Sequence, residues 1–353
     1  MKKIAIFIDN LHVGGIQKSI VNILNNIDYK KFEIDLYLFN KDKFYEINKN
    51  VNVIYLKKPS FVCKFLPFSI VNKIIKLDIC NKEYDISIDF DSYQMHTAIG
   101  ALRCKSNKKV IWIHNDVVIK LKEEPKYKIL YSFFKNKYKR FDVFCAVSNG
   151  ALSSFKKLHS YSDKDYRVIP NYIDTKEIKE KMMEKCDINV DKTKTNIVTV
   201  GRLCHQKGID IMLNNIYKIL ETRNDFHLYI IGDGPLYHSL KNQVIQLNLE
   251  EYVTFLGNKK NPYCYMKKMD LFYLQSRYEG QGMVILEAKS IGLDILIPKN
   301  LEKYCPNTFG VDSPVDFLKK YKKKEKKIFN DLKEYNDAVI NKWSDLINYE
   351  KNI

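Results

Sequence analysis

The stretch Ser276-Arg277-Tyr278-Glu279-Gly280-Gln281-Gly282-Met283-Val284-Ile285-Leu286-Glu287-Ala288 decides the reading of this 353-residue chain. The apolar run just before it, residues 271–274, reads as a buried strand, and residues 283–291 read as a helix. Between them, Gly280-Gln281-Gly282 makes a turn whose missing side chains let the backbone come close to a ligand. A helix N-terminus there presents N–H groups without intrahelical partners, suited to an anion or a sugar hydroxyl. Glu279 stands at the mouth of that turn, and Glu287, on the helix, faces the same site. Two carboxylates aimed at one polyhydroxy ligand make sense as acceptors of hydroxyl hydrogen bonds. Isolated glutamates ordinarily stay in solvent. The glycines and the strand–turn–helix setting distinguish this pair.

Working outward, the next cluster is Gly201-Arg202-Leu203 followed by Lys207-Gly208, at the end of the strand expected over 196–201. Ligands of open α/β sheets bind beyond the carboxyl ends of strands, so the position matters. Arg202 offers a planar fork and Lys207 a mobile point charge, a combination suited to a diphosphate. Gly14-Gly15, directly after the first strand, allows backbone to approach a phosphate from another part of the chain. His114 closes the strand expected over 110–114, placed to donate to, or accept from, a sugar hydroxyl. Asp89-Phe90-Asp91 spells an acid pair of the kind that holds divalent metals elsewhere. Its distance in sequence from Arg202 and Lys207, which already supply positive charge, argues against a metal there, and none is expected.

Strand-like and helix-like segments alternate along the chain, which implies parallel sheets in an α/β fold. One run covers 3–8, a helix with Ile16, Ile20, Ile23, Leu24 and Ile27 on one face, then strands near 32–39, 53–56, 85–90, 110–114 and 143–148. A second run starts at 196–201 and continues through 227–231, 253–256, 271–274 and 294–297, with helices at 208–222, 236–246 and 283–291. The charged segment 175–195, with 176–185 helical, separates them. The expectation is two Rossmann-like domains facing across a cleft, 1–175 and 192–330, with a final helical segment 331–353. The lysine-rich run 319–327 reads as a solvated helix face, and Trp343, Leu346 and Ile347 as a docking stripe.

Composition sets outer bounds. Hydrophobic residues at 45% and charged residues at 29% are those of a globular protein. Net charge is +17, which favours anionic partners, although an AT-rich coding sequence inflates lysine by itself. No zinc finger or RNP motif is visible, and no nucleic-acid partner is expected. The 8 cysteines include no C-x-x-C pair and read as free thiols. No apolar stretch reaches membrane-spanning length, and the first residues lack a signal peptide's apolar core, so a cytoplasmic location is expected. Residues 56–76 and 120–140 interleave lysines with bulky apolar side chains, a pattern suited to an anionic membrane surface at the inner face of the plasma membrane.

Glu279 and Glu287 at an eight-residue spacing, Gly201-Arg202-Leu203 with Lys207-Gly208, and Gly14-Gly15 with Ser19 together resemble the family 4 (group 1) retaining glycosyltransferases of GT-B fold. The resemblance runs along nearly the whole chain and thins after Gly292, where Asp294 to Leu301 depart from the family's pattern. It implies that Arg202 and Lys207 bind the donor's diphosphate, that Glu287 holds ribose hydroxyls, and that Glu279 lies by the transferred sugar. It also implies that backbone around Gly280, Gln281, Gly282 and Met283 contacts that sugar or its phosphate, and that His114 lies near the reacting carbon. The last helix is implied to return to the first domain. The expected activity is retaining, metal-independent transfer from a UDP- or GDP-sugar to a glycan or polyprenyl-linked acceptor, in bacterial surface polysaccharide synthesis. No cofactor beyond the donor is expected. A non-catalytic nucleotide-sugar-binding subunit and a nucleotide-sugar epimerase of the same fold are the alternatives.

Overall fold

Parallel strands covered by helices on both faces must be apolar along their length, and the first strand, β1 (Lys2–Ile8), is buried from Ile4 through Ile8. The computed structural model describes residues 1–325 and 328–348. Six further strands join β1: β2 (Phe32–Leu38), β3 (Asn52–Tyr55), β4 (Tyr84–Asp89), β5 (Ser106–Ile113), β6 (Val143–Ala146) and β7 (Asp165–Val168). They form one 7-stranded sheet in the order β3-β2-β1-β4-β5-β6-β7, parallel throughout. A separate 5-stranded sheet holds β8 (Thr195–Val200), β9 (Phe226–Ile231), β10 (Val253–Gly257), β11 (Leu271–Tyr273) and β12 (Asp294–Leu296). Its order is β10-β9-β8-β11-β12, again all parallel.

The chain divides into two compact units: Met1–Tyr172 with the chain from Glu334 onward, and Ile173–Lys333. In unit 1 the strand order reverses direction between β1 and β4, and in unit 2 between β8 and β11. Such switch points open a crevice at the strands' carboxyl ends. The helix Gly15–Asn26 buries Ile20, Ile23 and Leu24 on the first sheet, the face its periodicity implied.

The helix Thr175–Lys181 is shorter than the 176–185 expectation and belongs to unit 2. The helix Lys333–Asn348 buries Trp343, Leu346 and Ile347 in unit 1. Trp343 stacks on Trp112 with ring centroids 4.5 Å apart, and Tyr335 Oη donates to the Asn171 carbonyl at 2.7 Å. The lysine run does not continue as a helix. Pro314–Lys320 is helical and ends there, Lys322 to Lys324 are exposed in non-helical chain, and Lys326 and Lys327 lie outside the described residues. A Ser313 side chain caps that helix's start, but Tyr321 turns inward onto the core and stops it. Among the described residues no helix is long and apolar enough to cross a membrane.

Candidate functional site

The carboxyl ends of β8 and β11 flank the switch point of unit 2, and both key motifs lie there. Glycines make the local geometry. Gly232, at φ +138°, has its Cα so close to the strand-end turn that a Cβ would fall 2.0 Å from the Gly201 carbonyl oxygen. Gly234 likewise abuts Leu203, whose backbone exchanges hydrogen bonds with Asp233 and Leu236 at 3.0 Å. The turns after β8 and β9 are thereby pressed together. Gly208, at φ +60°, ends the short 3-10 turn His205–Lys207 and starts the helix Ile209–Leu220. A Cβ on it would lie 2.2 Å from the Gln275 carbonyl oxygen.

A second set of contacts ties the loop after β11 to that turn. Arg277 N–H donates to the Gln206 carbonyl at 2.8 Å, and Gln206 Nε2 donates to the Tyr278 carbonyl at 3.1 Å. The Arg277 guanidinium forks onto Asp210 at 2.8 and 2.6 Å and also donates to the His205 carbonyl. The guanidinium hydrogen bonds hold the Asp210 carboxyl below the usual carboxylate range. Sequence reading gave Arg277, Asp210, Gln206 and Ser276 no role. Only the bidentate geometry reveals Arg277 as a clamp rather than a ligand.

Held in this frame, Lys207 Nζ lies 2.7 Å from Glu279 Oε1, and Ser276 Oγ donates to the same oxygen at 2.6 Å. Glu279 is 5% exposed. An ammonium has three donors, so Lys207 keeps hydrogen-bonding capacity beyond this pair. Its stem crosses Gly201, whose missing Cβ would sit 3.3 Å from Lys207 Cε. Arg202 is exposed, with its guanidinium unpaired among the described residues. Glu287 lies within the helix Met283–Ile291, mostly buried, with Oε1 accepting from Tyr263 Oη at 3.2 Å. Gln281 and Gly282 are buried beside it, and the helix has no side-chain cap. One of the turn's amides is engaged inside the unit, Met283 N–H donating to the Gln281 carbonyl at 2.9 Å, and Cys305 Sγ would lie 3.2 Å from a Cβ on Gly282. Cys305 follows the 3-10 segment Lys299–Tyr304.

The remaining predicted residues belong to unit 1. Gly14 precedes the helix Gly15–Asn26 in extended conformation, and a Cβ on Gly15 would meet nothing within 4 Å. The Gln17 side chain, whose Oε1 would lie 2.3 Å from a Cβ on Gly14, lies against Gly14, whereas the space at Gly15 is open. Ser19 is turned away from it, donating to Asn171 Oδ1 at 2.5 Å. His114 is 7% exposed, and its Nε2–H donates to the Phe90 carbonyl at 2.5 Å. Burial pushes its pKa down to about 4, so the ring is neutral near pH 7. With Nε2–H committed, Nδ1 only accepts. This narrows the sequence reading, which allowed either direction.

A model of the group 1 glycosyl transferases matches residues 180–300, and a model of glycosyltransferase family 4 matches residues 13–177. An N-acetylgalactosamine-N,N'-diacetylbacillosaminyl-diphospho-undecaprenol 4-alpha-N-acetylgalactosaminyltransferase of Campylobacter jejuni is 30% identical over 294 residues, 82% of this chain and 78% of the relative. Among solved structures, a mutant of TarM from S. aureus, in complex with fondaparinux, alpha-GlcNAc-glycerol and UDP, superposes with TM-score 0.70 at 12% identity, covering 99% of this chain and 100% of that one. HepE of Anabaena, in complex with UDP and glucose, gives 0.59 at 16% identity, covering 98% and 91%.

Proposed function

The chain belongs to the group 1, family 4 glycosyltransferases, with the α/β architecture of the GT-B fold, and from that premise we propose that it transfers a sugar, with retention and without a metal, from a UDP- or GDP-sugar to a glycan or polyprenyl-linked acceptor. The observation that carries this reading is the Lys207–Glu279 contact of 2.7 Å beside an unpaired Arg202 at the switch point of unit 2. A cation for the donor's phosphate and a carboxylate for its sugar are already in contact there. Cleaving the bond from the anomeric carbon to the phosphate builds negative charge on the departing diphosphate. Arg202 and Lys207 stabilise that charge more in the transition state than in the bound donor. The acceptor oxygen forms the new bond to the same carbon, and its proton passes to the departing phosphate oxygen. Glu279 accepts from hydroxyls of the transferred sugar, and Glu287, oriented by Tyr263, from the ribose. His114 Nδ1 accepts from a hydroxyl of the acceptor.

The polyprenyl-linked acceptor draws support from the Campylobacter relative's printed substrate and from one face of unit 1. Phe61 at 66%, Val62 at 62% and Ile129 at 61% exposure stand out of it, with Phe65, Ile70 and Ile74. Exposed Lys57, Lys73, Lys76, Lys126 and Lys128 accompany them. An apolar patch with such a rim suits an anionic bilayer surface, which fits bacterial surface-polysaccharide synthesis on the cytoplasmic leaflet. The test is turnover across a panel of UDP- and GDP-sugars with membrane extracts as acceptor, together with the product's anomeric configuration. Transfer with retention, abolished by Lys207→Ala, is expected. An inverted product or donor turnover that survives Lys207→Ala contradicts the reading.

A further inference from the structure

The switch point of unit 1 holds a second cluster of polar and charged groups, of which the transfer proposed above uses only His114. Asp9 follows β1, Asp91 lies two residues past β4, and His114 follows β5, on strands adjacent in the sheet. Asp9 is fully provided with donors. His96 Nε2–H reaches its Oδ1 at 2.8 Å, Asn10 Nδ2 its Oδ2 at 2.9 Å, and Lys58 Nζ its Oδ1 at 2.7 Å. Asp91 is not. It is 6% exposed, and its one hydrogen bond among the described residues is a long one, 3.3 Å, from the Asp9 N–H to Oδ2. Among the described residues no donor reaches Oδ1, although carboxylates this deeply set ordinarily accept several hydrogen bonds.

The loop carrying Asp91 is fixed from beneath. Lys137, wholly buried, donates to the carbonyls of Ser92 at 2.6 Å and Gln94 at 3.1 Å and lies 3.6 Å from Asp89 Oδ2. Ser92 takes φ +55°, a left-handed conformation that costs free energy and bends the loop round the ammonium. Tyr93, half-buried, follows, its hydroxyl accepting from Asn115 Nδ2 at 2.9 Å. A carboxylate with a single hydrogen bond thus sits two residues before Tyr93, whose ring has Lys120 Nζ 4.4 Å from its centroid, and at the same strand ends as His114, whose Nδ1 only accepts.

We propose that this crevice reads the hydroxyls of the acceptor glycan, with Asp91 accepting hydrogen bonds from a neutral sugar ring that lies against Tyr93. The inference rests on the glycosyltransferase reading and names the acceptor-recognising groups for it. Neutral donors fit better than a cation, because Lys58 and Lys137 already supply positive charge to Asp9 and Asp89. The groups facing Asp91 are Asp9, Asp89, His96 and Lys137, with His114 and Lys58 beyond them. Burial first, then the charges of Asp89 and Asp9, push the Asp91 pKa up to about 7. The carboxylate therefore ionises near neutrality, and acceptor binding requires the ionised form.

The test is saturation-transfer NMR with methyl glycosides of N-acetylgalactosamine, N-acetylglucosamine, galactose, glucose and mannose, on the whole protein with UDP present. At least one glycoside is expected to bind at alkaline pH, weaken as pH falls below neutrality, and lose roughly tenfold or more in Asp91→Asn, the loss of a hydrogen bond to a charged group. An unfolding midpoint of unit 1 unchanged from the wild type shows that the variant is folded, and thermal stabilisation by UDP, read on unit 2, shows that the donor site stands regardless of this result. Should Asp91→Asn not fold, the pH dependence of the wild type decides alone. No binding by any of these glycosides, pH-independent binding, or unchanged binding in the variant overturns the proposal.

Discussion

Lys207 and Glu279 share a 2.7 Å contact, so each governs what the other presents to a ligand. Glu279→Gln keeps an acceptor for Ser276 but removes the charge that holds Lys207. UDP affinity is therefore expected to hold or rise while transfer falls by about a hundredfold; calorimetry beside a turnover assay measures both. His114 makes a pH prediction. Its folded pKa, about 4, lies below the ordinary 6.5, so the unfolded chain takes up a proton that the folded one refuses. The stability it contributes is present above pH 6.5 and lost as pH falls toward 4, with a slope of at most about 1.4 kcal/mol per pH unit. Urea unfolding of the wild type against His114→Asn across that window should show a shallower decline in the variant. The motif residues were legible because each is a residue type with one chemical use at a strand end. Arg277 and Lys137 were not, since an arginine clamp or a buried lysine looks in sequence like any surface cation, and Asp91 stood out only as half of an acid pair weighed as a metal site.

At the scale of elements, the turn between β8 and the helix Ile209–Leu220 places Lys207, and its shape depends on Gly208. Alanine there meets both a positive φ and a backbone oxygen 2.2 Å away that cannot move without β11's loop. Gly208→Ala should lower stability by about 1–3 kcal/mol and weaken UDP binding with it, as thermal unfolding with and without UDP would show. Gly201→Ala should be milder, because the atom it meets belongs to the flexible Lys207 stem. Most strands were readable as short apolar runs ending at polar or glycine residues. β7 was not: Asp165-Tyr166-Arg167-Val168 is a half-buried edge strand with no apolar run to betray it. The helix Met95–Arg103 also escaped notice, because it is buried nearly all round and shows no polar face.

For the whole molecule, the chain's return to unit 1 is the organising feature. Trp343, Leu346 and Ile347 were recognisable as a stripe at helical spacing, but the stacked surface of Trp112 and Phe90 that receives them follows only from the fold. Trp343→Ala should cost about 3–5 kcal/mol, lowering the unfolding midpoint of unit 1 while UDP binding by unit 2 persists. Unit 2 contains its own core, its own switch point and both cations proposed to hold the donor, Arg202 and Lys207. The most direct measurement is a calorimetric titration of UDP into the wild type and the double variant Arg202→Ala/Lys207→Ala. Saturable binding by the wild type, weakened by about a hundredfold or more in a variant that remains folded, is the predicted result. Equal affinity in the two proteins would contradict the assignment of this turn as the seat of the diphosphate.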